Sequence, residues 1–236
     1  MSKPRQFSVS DWCAWAPGLV NVSVWQEYFN APYALADEKA DVSFLPAMQR
    51  RRLSTLARAA FYTSYQCVKD QAPCPAIYCS SYGEYQRAEV ILRDIAEANA
   101  VSPTAFGLSV HNAIAGQASI YFDNKEPMLA IAPAAHDYLS AFVDALGFLA
   151  EGKPSVLLVF YEEKAPEFFA PYCTSTDFPC ALALRLSAPQ AGKKAWNLDY
   201  LGEGQQSIDA MPALLQLIRF FVQSDAQLKL GYWQLS

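Results

Sequence analysis

The fold of this chain is decided by the stretch Phe106–Tyr161. It reads FGLSVHNAIAGQASIYF, then DNKEP, then MLAIAPAAHDYLSAFVDALGFLAEG, then KPSVLLVFY. This pattern predicts a short apolar run, a helix of small residues, a buried strand, a turn, an amphipathic helix and a second buried strand. The first strand, Met128–Ala132, leads directly into Pro133-Ala134-Ala135-His136. Such strand-to-helix elbows often carry the nucleophile of α/β enzymes, yet this one holds neither Cys nor Ser.

The residues before this stretch add further helices and strands. Residues 7–15 alternate as a strand, whereas residues 20–45 read as irregular with a loose aromatic cluster. Apolar residues with helical spacing occupy residues 53–68, and residues 76–79 form a short apolar run typical of a buried strand. Residues 84–99 predict one more helix before the central stretch.

This last helix carries a start signal and an apolar face. Ser81 stands three residues before Glu84, which is the pattern of a capping box. Val90, Ile91 and Ile95 are its apolar residues, and we expect them to point inward.

Residues after the central stretch give weaker signals. Residues 180–186 alternate as a strand with Arg185 as the only charge, and residues 196–201 suggest another strand. Residues 208–223 predict a helix, and residues 228–235 a last strand. Because strands and helices alternate through the middle, we expect one layered α/β domain with a mostly parallel sheet and helices on both faces.

Composition excludes several classes of function. The net charge is −5 for 236 residues, which argues against a nucleic-acid partner. We see no signal peptide and no run of about 18 apolar residues that could span a membrane. The six cysteines form no CxxC pair and the chain has two histidines, so we expect a cytoplasmic protein without a metal or cofactor.

Several residues of the central stretch carry a family resemblance: Ser102, Pro103, Phe106, Ser109, Val110 and Asn112, followed by Gly116 on the small-residue helix, Ala141 and Ala145 on the next helix, and EGKPSVLLV at the end. With these residues the chain resembles the N-terminal half of a β-ketoacyl synthase. The resemblance covers residues 102–161 well and residues 46–101 loosely. It implies a thiolase-like layered fold, here a single half spanning residues 1–236, with residues 162–236 as a divergent C-terminal extension that completes the domain.

The chain departs from this family at the reactive residues. A synthase has Thr-Ala-Cys at the elbow, where this chain has Pro133-Ala134-Ala135, so Ala135 takes the position of the nucleophile. A register shifted by one residue would place His136 there, still without a thiol. The family also uses two histidines in its second half, and residues 162–236 contain none. Because a methyl group cannot carry an acyl thioester, we expect no covalent catalysis of the usual kind.

Within the superfamily, a synthase-like subunit without a nucleophile resembles a chain-length factor. The resemblance implies a heterodimer with an active ketosynthase in polyketide, aryl-polyene or fatty-acid-type biosynthesis, with transient contact to an acyl carrier protein. It implies that the partner's sheet is extended through an interface formed by Asn112, Met128, Leu129, Ala130, Ile131 and Ala132. It also implies an acyl-tunnel wall formed by Ile114, Gln117, Ala118, Tyr121 and Phe122. The alternative is that these five are ordinary core residues.

The triplet Arg50-Arg51-Arg52 has two interpretations. It is either a solvated start of the helix that follows or a docking patch for an acidic partner such as the phosphopantetheine carrier.

Two other classes of function remain open from the sequence. Ser109 with His111, or Ser80 and Ser81, could serve acyl transfer or thioester hydrolysis, although no GxSxG surrounds these serines. The chain could also be a stand-alone scaffold. His136 either contacts a carrier's pantetheine arm or bonds to backbone at the start of its helix.

Overall fold

The computed structural model describes residues 5–133, 137–202 and 210–236. Across these ranges the strands form one eight-stranded sheet in the order β3-β2-β4-β5-β1-β6-β8-β7. The strands are β1 (Gln6–Trp15), β2 (Ala76–Cys79), β3 (Met128–Ile131), β4 (Val156–Glu162), β5 (Cys180–Ser187), β6 (Ala195–Tyr200), β7 (Leu228–Leu230) and β8 (Trp233–Leu235). The α-helices are α1 (Val22–Asn30), α2 (Ala47–Arg50), α3 (Thr55–Val68), α4 (Tyr85–Ala96), α5 (Pro103–Gly107), α6 (Ala113–Tyr121), α7 (Ala141–Ala150) and α8 (Ala213–Gln223).

The sheet is mixed, and the prediction of a mostly parallel sheet was wrong. Only β2 pairs in parallel, with β3 on one side and β4 on the other. β5 runs antiparallel to both of its neighbours, β4 and β1. The long connection from β4 to β5 brings the chain back along β4, so the pair needs no crossover helix. Beyond β1, the pairings of β6, β8 and β7 are antiparallel as well.

The two central strands, β4 and β5, are buried over their whole length. Val156, Leu158 and Phe160 of β4 face one apolar core, and Leu157 and Val159 face a second core on the other side. This follows from the period of two in a strand, which sends successive side chains to opposite faces. The unbroken apolar run of β4 is therefore explained by layers on both faces, as predicted.

Helices cover both faces of the sheet. On the first face, α1, α7 and α8 contribute Trp25, Phe142 and Ile218 to one core. On the second face, α3 and α6 contribute Phe61 and Ile114 to the other core. The layered α/β architecture is therefore confirmed.

β3 is an edge strand, not the fully buried strand that its apolar sequence suggested. Its residues are half-buried or exposed, and among the described residues it pairs with β2 alone. Backbone oxygens of Pro127 and Ile131 accept hydrogen bonds from Ala76 and Ser80 of the β2 segment. Since backbone groups alternate in direction along a strand, Ala130 points its N–H and C=O away from β2, toward the free edge.

Two local expectations fail. Residues 22–30 form α1, capped by the Asn21 side chain, where we expected irregular chain. On α4 only Ile91 is buried, whereas Val90 and Ile95 are 55% and 60% exposed instead of pointing inward. An apolar pattern on a helix tells which residues share a face but not what covers that face.

Truncation of a central side chain tests the two-sided core. We expect Leu158→Ala to lower the free energy of unfolding by about 3 kcal/mol, because Leu158 is fully buried and the site leaves a cavity. Leu92→Ala is the matched control, since Leu92 is half exposed on α4, and it should cost about 0.5 kcal/mol or less. Urea denaturation measures both values. Equal losses in the two variants would contradict the assigned layers.

Candidate functional site

A buried polar cluster lies where β2 and β4 end. Glu162 is the last residue of β4, Ser81 follows β2, and Tyr138 opens a short 3₁₀ helix before α7. Glu162 Oε1 accepts hydrogen bonds from the Tyr138 hydroxyl and from the backbone N–H of Ser81. The Ser81 and Tyr138 hydroxyls are 2.9 Å apart. Carboxyl ends of neighbouring parallel strands meet at one edge, which is why distant residues converge here.

Burial decides the protonation of this cluster. Glu162 is 4% exposed, and desolvation raises the pKa of its carboxyl to about 7, although the bonds from Tyr138 and Ser81 favour the charged form. Burial also raises the pKa of Glu163 to about 8, with further increases from the charges of Glu84 and Glu162. Burial, and then the Glu162 charge, keeps the pKa of Tyr138 well above its usual range, so Tyr138 stays a donor.

A small cavity of about 140 Å³ opens beside these groups. Its lining comprises Ser81, Tyr82, Tyr138, Glu162, Tyr172, Thr174, Ser175, Thr176, Pro212, Ala213 and Leu214. The ring of Tyr82, one of these lining residues, stacks on Tyr85 at 5.8 Å between ring centroids, and Tyr85 stacks on Phe169 at 4.7 Å. The arrangement can hold a small polar group against a carboxyl and two hydroxyls.

The elbow itself, with Ala134, Ala135 and His136, lies outside the described residues. The assignment of Ala135 to the nucleophile position therefore stays a prediction, as does the role of His136. Cys79, the last residue of β2, is the thiol of that strand and is fully buried. Desolvation is the largest cause that raises the pKa of this thiol well above its usual value, and the charge of Glu162 raises it further. Such a thiol does not form the thiolate that a nucleophile needs.

The proposed serine–histidine pairs do not form. His111 Nε2 lies 2.7 Å from the backbone oxygen of Ser80, not from a hydroxyl. Ser80 Oγ accepts a hydrogen bond from the Gly83 N–H at 2.8 Å, and Ser109 Oγ donates to the Phe106 oxygen at 2.9 Å. His111, Ser80 and Ser109 are thus each bound to backbone, which disfavours a hydrolase or transferase site built on them. The Ser81 hydroxyl instead lies 2.9 Å from the Tyr138 hydroxyl, with no histidine contact among the described residues.

The predicted capping box was wrong, and its two residues, Ser81 and Glu84, bind other side chains instead. Glu84 is at the N-cap of α4 but makes no side-chain cap bond. Its carboxylate accepts from the Ser54 hydroxyl at 2.7 Å and pairs with Arg87 at 2.9 Å. Ser81 binds Tyr138 and Glu162, as described above. Sequence reasoning missed Glu162 and Tyr138, although a carboxylate at the end of an apolar strand was a usable signal.

A second feature is a shallow groove of about 500 Å³ between α6 and β3. Its lining residues are Asn112, Ala115, Gly116, Ser119, Asn124, Lys125, Glu126, Met128 and Ala130. Three residues of the predicted interface, Asn112, Met128 and Ala130, therefore come together here. Leu129 and Ile131 are half-buried on β3, and Ala132 is exposed just after it.

The five predicted tunnel residues divide into two groups. Ile114 and Ala118 are fully buried within this chain's own core. Gln117, Tyr121 and Phe122 are half-buried. Tyr121 and Phe122 stack near Phe61, with ring centroids 5.6 and 5.4 Å away.

The arginine triplet lies at the end of α2 and is half-buried at Arg50 and exposed at Arg51 and Arg52. Arg58 Nη2 donates to the Arg50 oxygen at 2.9 Å, and Arg87 Nη2 donates to the Arg52 oxygen at 2.7 Å. Five arginines therefore lie around one short segment.

A family model confirms the resemblance. The model described as the N-terminal domain of β-ketoacyl synthase matches residues 25–234. The chain belongs to the β-ketoacyl synthase N-terminal domain family. No protein in the curated set matches the sequence.

Solved structures share the fold of this synthase-family chain. A chain of the complex of the ketosynthase ApeO with its chain length factor ApeC from Xenorhabdus doucetiae is similar, with a TM-score of 0.81, 24% identity and 98% of each chain covered. A chain of the ishigamide ketosynthase/chain length factor has a TM-score of 0.60 and 17% sequence identity. The match covers 84% of this chain and 68% of that one. A chain of the type II complex AntDE:AntF has a TM-score of 0.62 and 13% sequence identity. The match covers 84% of this chain and 70% of that one.

The residues that the structure describes contain neither a membrane-spanning helix nor a metal-binding cluster. None of the helices there has the length and apolarity needed to cross a membrane. Within the same ranges, no three or more His, Cys, Asp or Glu side chains are arranged to hold a metal ion.

The raised pKa of Glu162 makes stability depend on pH. Its carboxyl changes from 4.5 to about 7 on folding, so the folded state retains a proton that the unfolded state loses. This contribution is fully present below pH 4.5 and is lost as the pH rises through about 7. We expect Glu162→Gln to reduce the fall in unfolding free energy between pH 5 and 8 by roughly 1–3 kcal/mol. Glu151→Gln, an exposed control after α7, should keep the wild-type slope. Denaturation across this pH range measures the slopes, and parallel curves for both variants would refute the assignment.

Proposed function

We propose that this chain is a non-catalytic ketosynthase-like subunit that forms a heterodimer with an active β-ketoacyl synthase. In this role it acts as a chain-length factor and shapes the partner's acyl tunnel in polyketide, aryl-polyene or fatty-acid-type biosynthesis. The observation that carries the proposal is the free edge of β3 next to the α6 groove.

The β3 edge supports pairing with another chain. Ala130 directs its backbone N–H and C=O away from β2, and these groups have no strand partner among the described residues. A strand of a partner added here would satisfy them and continue the sheet across the interface. The adjoining groove, with Gly116 and Ser119 on α6, leaves room for the partner's side chains because these residues are small.

An exposed apolar residue on α6 is compatible with a partner. Ile120 is 73% exposed on this helix, which contacts β3. A strand or helix of a partner laid along the β3 edge could cover this side chain.

The sequence supports a non-catalytic role. It has no cysteine between Cys79 and Cys173, so the elbow offers no thiol, and no histidine follows His136. A synthase needs both for acyl transfer and decarboxylation by the family's route. The ApeO–ApeC and ishigamide complexes are named as a ketosynthase with a chain length factor, and we propose the same pairing here.

For the tunnel wall, the proposal now depends most on Gln117. Ile114 and Ala118 already fill this chain's own core, so a larger residue there would disturb the fold. Gln117 is half-buried on α6, so part of its side chain is accessible from outside this chain. Tyr121 and Phe122 would contribute through the edges of their rings.

We also propose that Arg50, Arg51 and Arg52 dock an acyl carrier protein, with Arg58 adding to the positive field. AntDE:AntF is named as a complex of a ketosynthase with its acyl-carrier protein. An acidic carrier would be steered to this patch by long-range attraction.

We further propose that residues 1–236 act as one domain that residues 162–236 complete. The position of β5 between β4 and β1, in the centre of the sheet, supports this.

Proline at the free edge tests the heterodimer. We expect Ala130→Pro to lower recovery of a co-purified β-ketoacyl synthase about tenfold or more, because proline removes the outward N–H and leaves β2 pairing intact. Ala130→Ser keeps that N–H and is the matched control. The measurement is affinity purification of the tagged chain from its native cells, with the synthase identified by mass spectrometry. Equal recovery with both variants would refute pairing through β3.

A bulky residue on α6 tests the tunnel. We expect Gln117→Trp to shorten the products of the co-purified pair without dissociating it, since the larger ring would narrow the acyl channel. Ser119→Trp, on the same helix but in the groove, should instead weaken the pair. Product lengths are read by mass spectrometry. Unchanged products from an intact Gln117→Trp complex would rule out the tunnel assignment.

A further inference from the structure

A second pocket lies on the opposite face of the sheet from α6. It is an apolar cleft of about 400 Å³ between α7 and the strands β6 and β8. Ligand sites in proteins are commonly 300–1,000 Å³, mostly apolar, with few polar groups. The size and lining of this cleft fit that description, and it shares no lining residue with the α6 groove.

The walls of the cleft come from two different elements. Val143, Gly147 and Ala150 share one face of α7 because they are spaced four and three residues apart. Leu146 and Leu198 are almost fully buried and form the floor. The small residues of α7 keep the cleft open, and a Cβ added at Gly147 would meet no atom within 4 Å.

Aromatic rings form the opposite wall. Tyr200 and Trp233 are paired across β6 and β8, and their ring centroids are 5.0 Å apart in an edge-on arrangement. Tyr200 lines the cleft and is 59% exposed, so its ring is accessible to a ligand there.

Among the described residues that line the cleft, Arg5 is the one with a charge. Its backbone oxygen accepts a hydrogen bond from Leu198 N–H at 2.9 Å, which holds the residue beside β6. Its guanidinium is 73% exposed and lies 3.7 Å from Asp199, too long for a hydrogen bond. An exposed pair of this kind is weak, so the guanidinium can turn its donors to a carboxylate at the mouth.

We propose that this cleft binds a medium-chain carboxylate, with the alkyl chain between α7 and the aromatic wall and the carboxylate on Arg5. An engineered cavity of about 150 Å³ binds benzene, which has six carbon atoms. In proportion, the 400 Å³ of this cleft would hold roughly 12 to 16 carbon-sized atoms. A chain of about ten carbons with its carboxylate fits this space. The site is separate from the tunnel proposed above and does not depend on it.

Decanoate and decanol are the probes, titrated into the full chain by calorimetry. We expect saturable one-to-one binding of decanoate. Gly147→Leu should weaken it about tenfold or more, because the new side chain fills the cleft. Gly116→Leu is the matched control: Gly116 is also a mid-helix glycine with open space around it, but on α6, and binding should stay within about twofold.

The charge is tested separately. Arg5→Gln should weaken decanoate about fivefold and leave decanol unchanged, because only the carboxylate uses the guanidinium. Arg93→Gln also removes an arginine from an exposed ion pair, with Glu89 on α4, and should change neither probe.

A photoreactive decanoate analogue locates the site, and we expect its crosslinks on α7, β6 or β8. Circular dichroism confirms that Gly147→Leu is folded. Three results would overturn the proposal: no saturable binding of decanoate, crosslinks confined to the α6 groove, or equal weakening by Gly147→Leu and Gly116→Leu. A dimer of the wild type that Gly147→Leu disperses, without decanoate binding, would show that a second copy occupies the cleft instead.

Discussion

The whole structure depends on the burial of β4 and β5 on both of their faces. Leu158 and Leu184 point into one core while Val159 and Ala183 point into the other, so the two cores share the same strands. Neither layer of helices can be removed without exposing half of these side chains to water. The short residues Ala181 and Ala183 face α3, which explains how that helix packs closely on β5.

Much of this arrangement could be predicted from sequence, because apolar runs and helical spacing are local properties. The runs at residues 76–79 and 156–162 became buried strands, and the spacing from Leu53 onward became α3. Strand direction could not be predicted in the same way. An apolar run has the same composition in either direction, so the return of β5 along β4 is decided by the loop and the partner strand.

The polar cluster shows a second limit of sequence reasoning. Glu162 and Tyr138 are separated by 24 positions and Ser81 is further away still. Each residue has an ordinary local interpretation, such as a cap or a strand end. Only the shared edge of β2 and β4 brings the three together, and burial at that edge then raises the pKa of Glu162. The absence of a cysteine from residues 128–140, by contrast, is a property of the sequence and needs no three-dimensional information.

The uncovered edge of β3 has a consequence for how the chain is made. An open strand with apolar residues is a template for indiscriminate pairing with other chains. If the chain were made in excess of a partner that covers this edge, its copies would tend to associate with one another. The partner strand proposed for this edge would also protect the chain from such indiscriminate pairing.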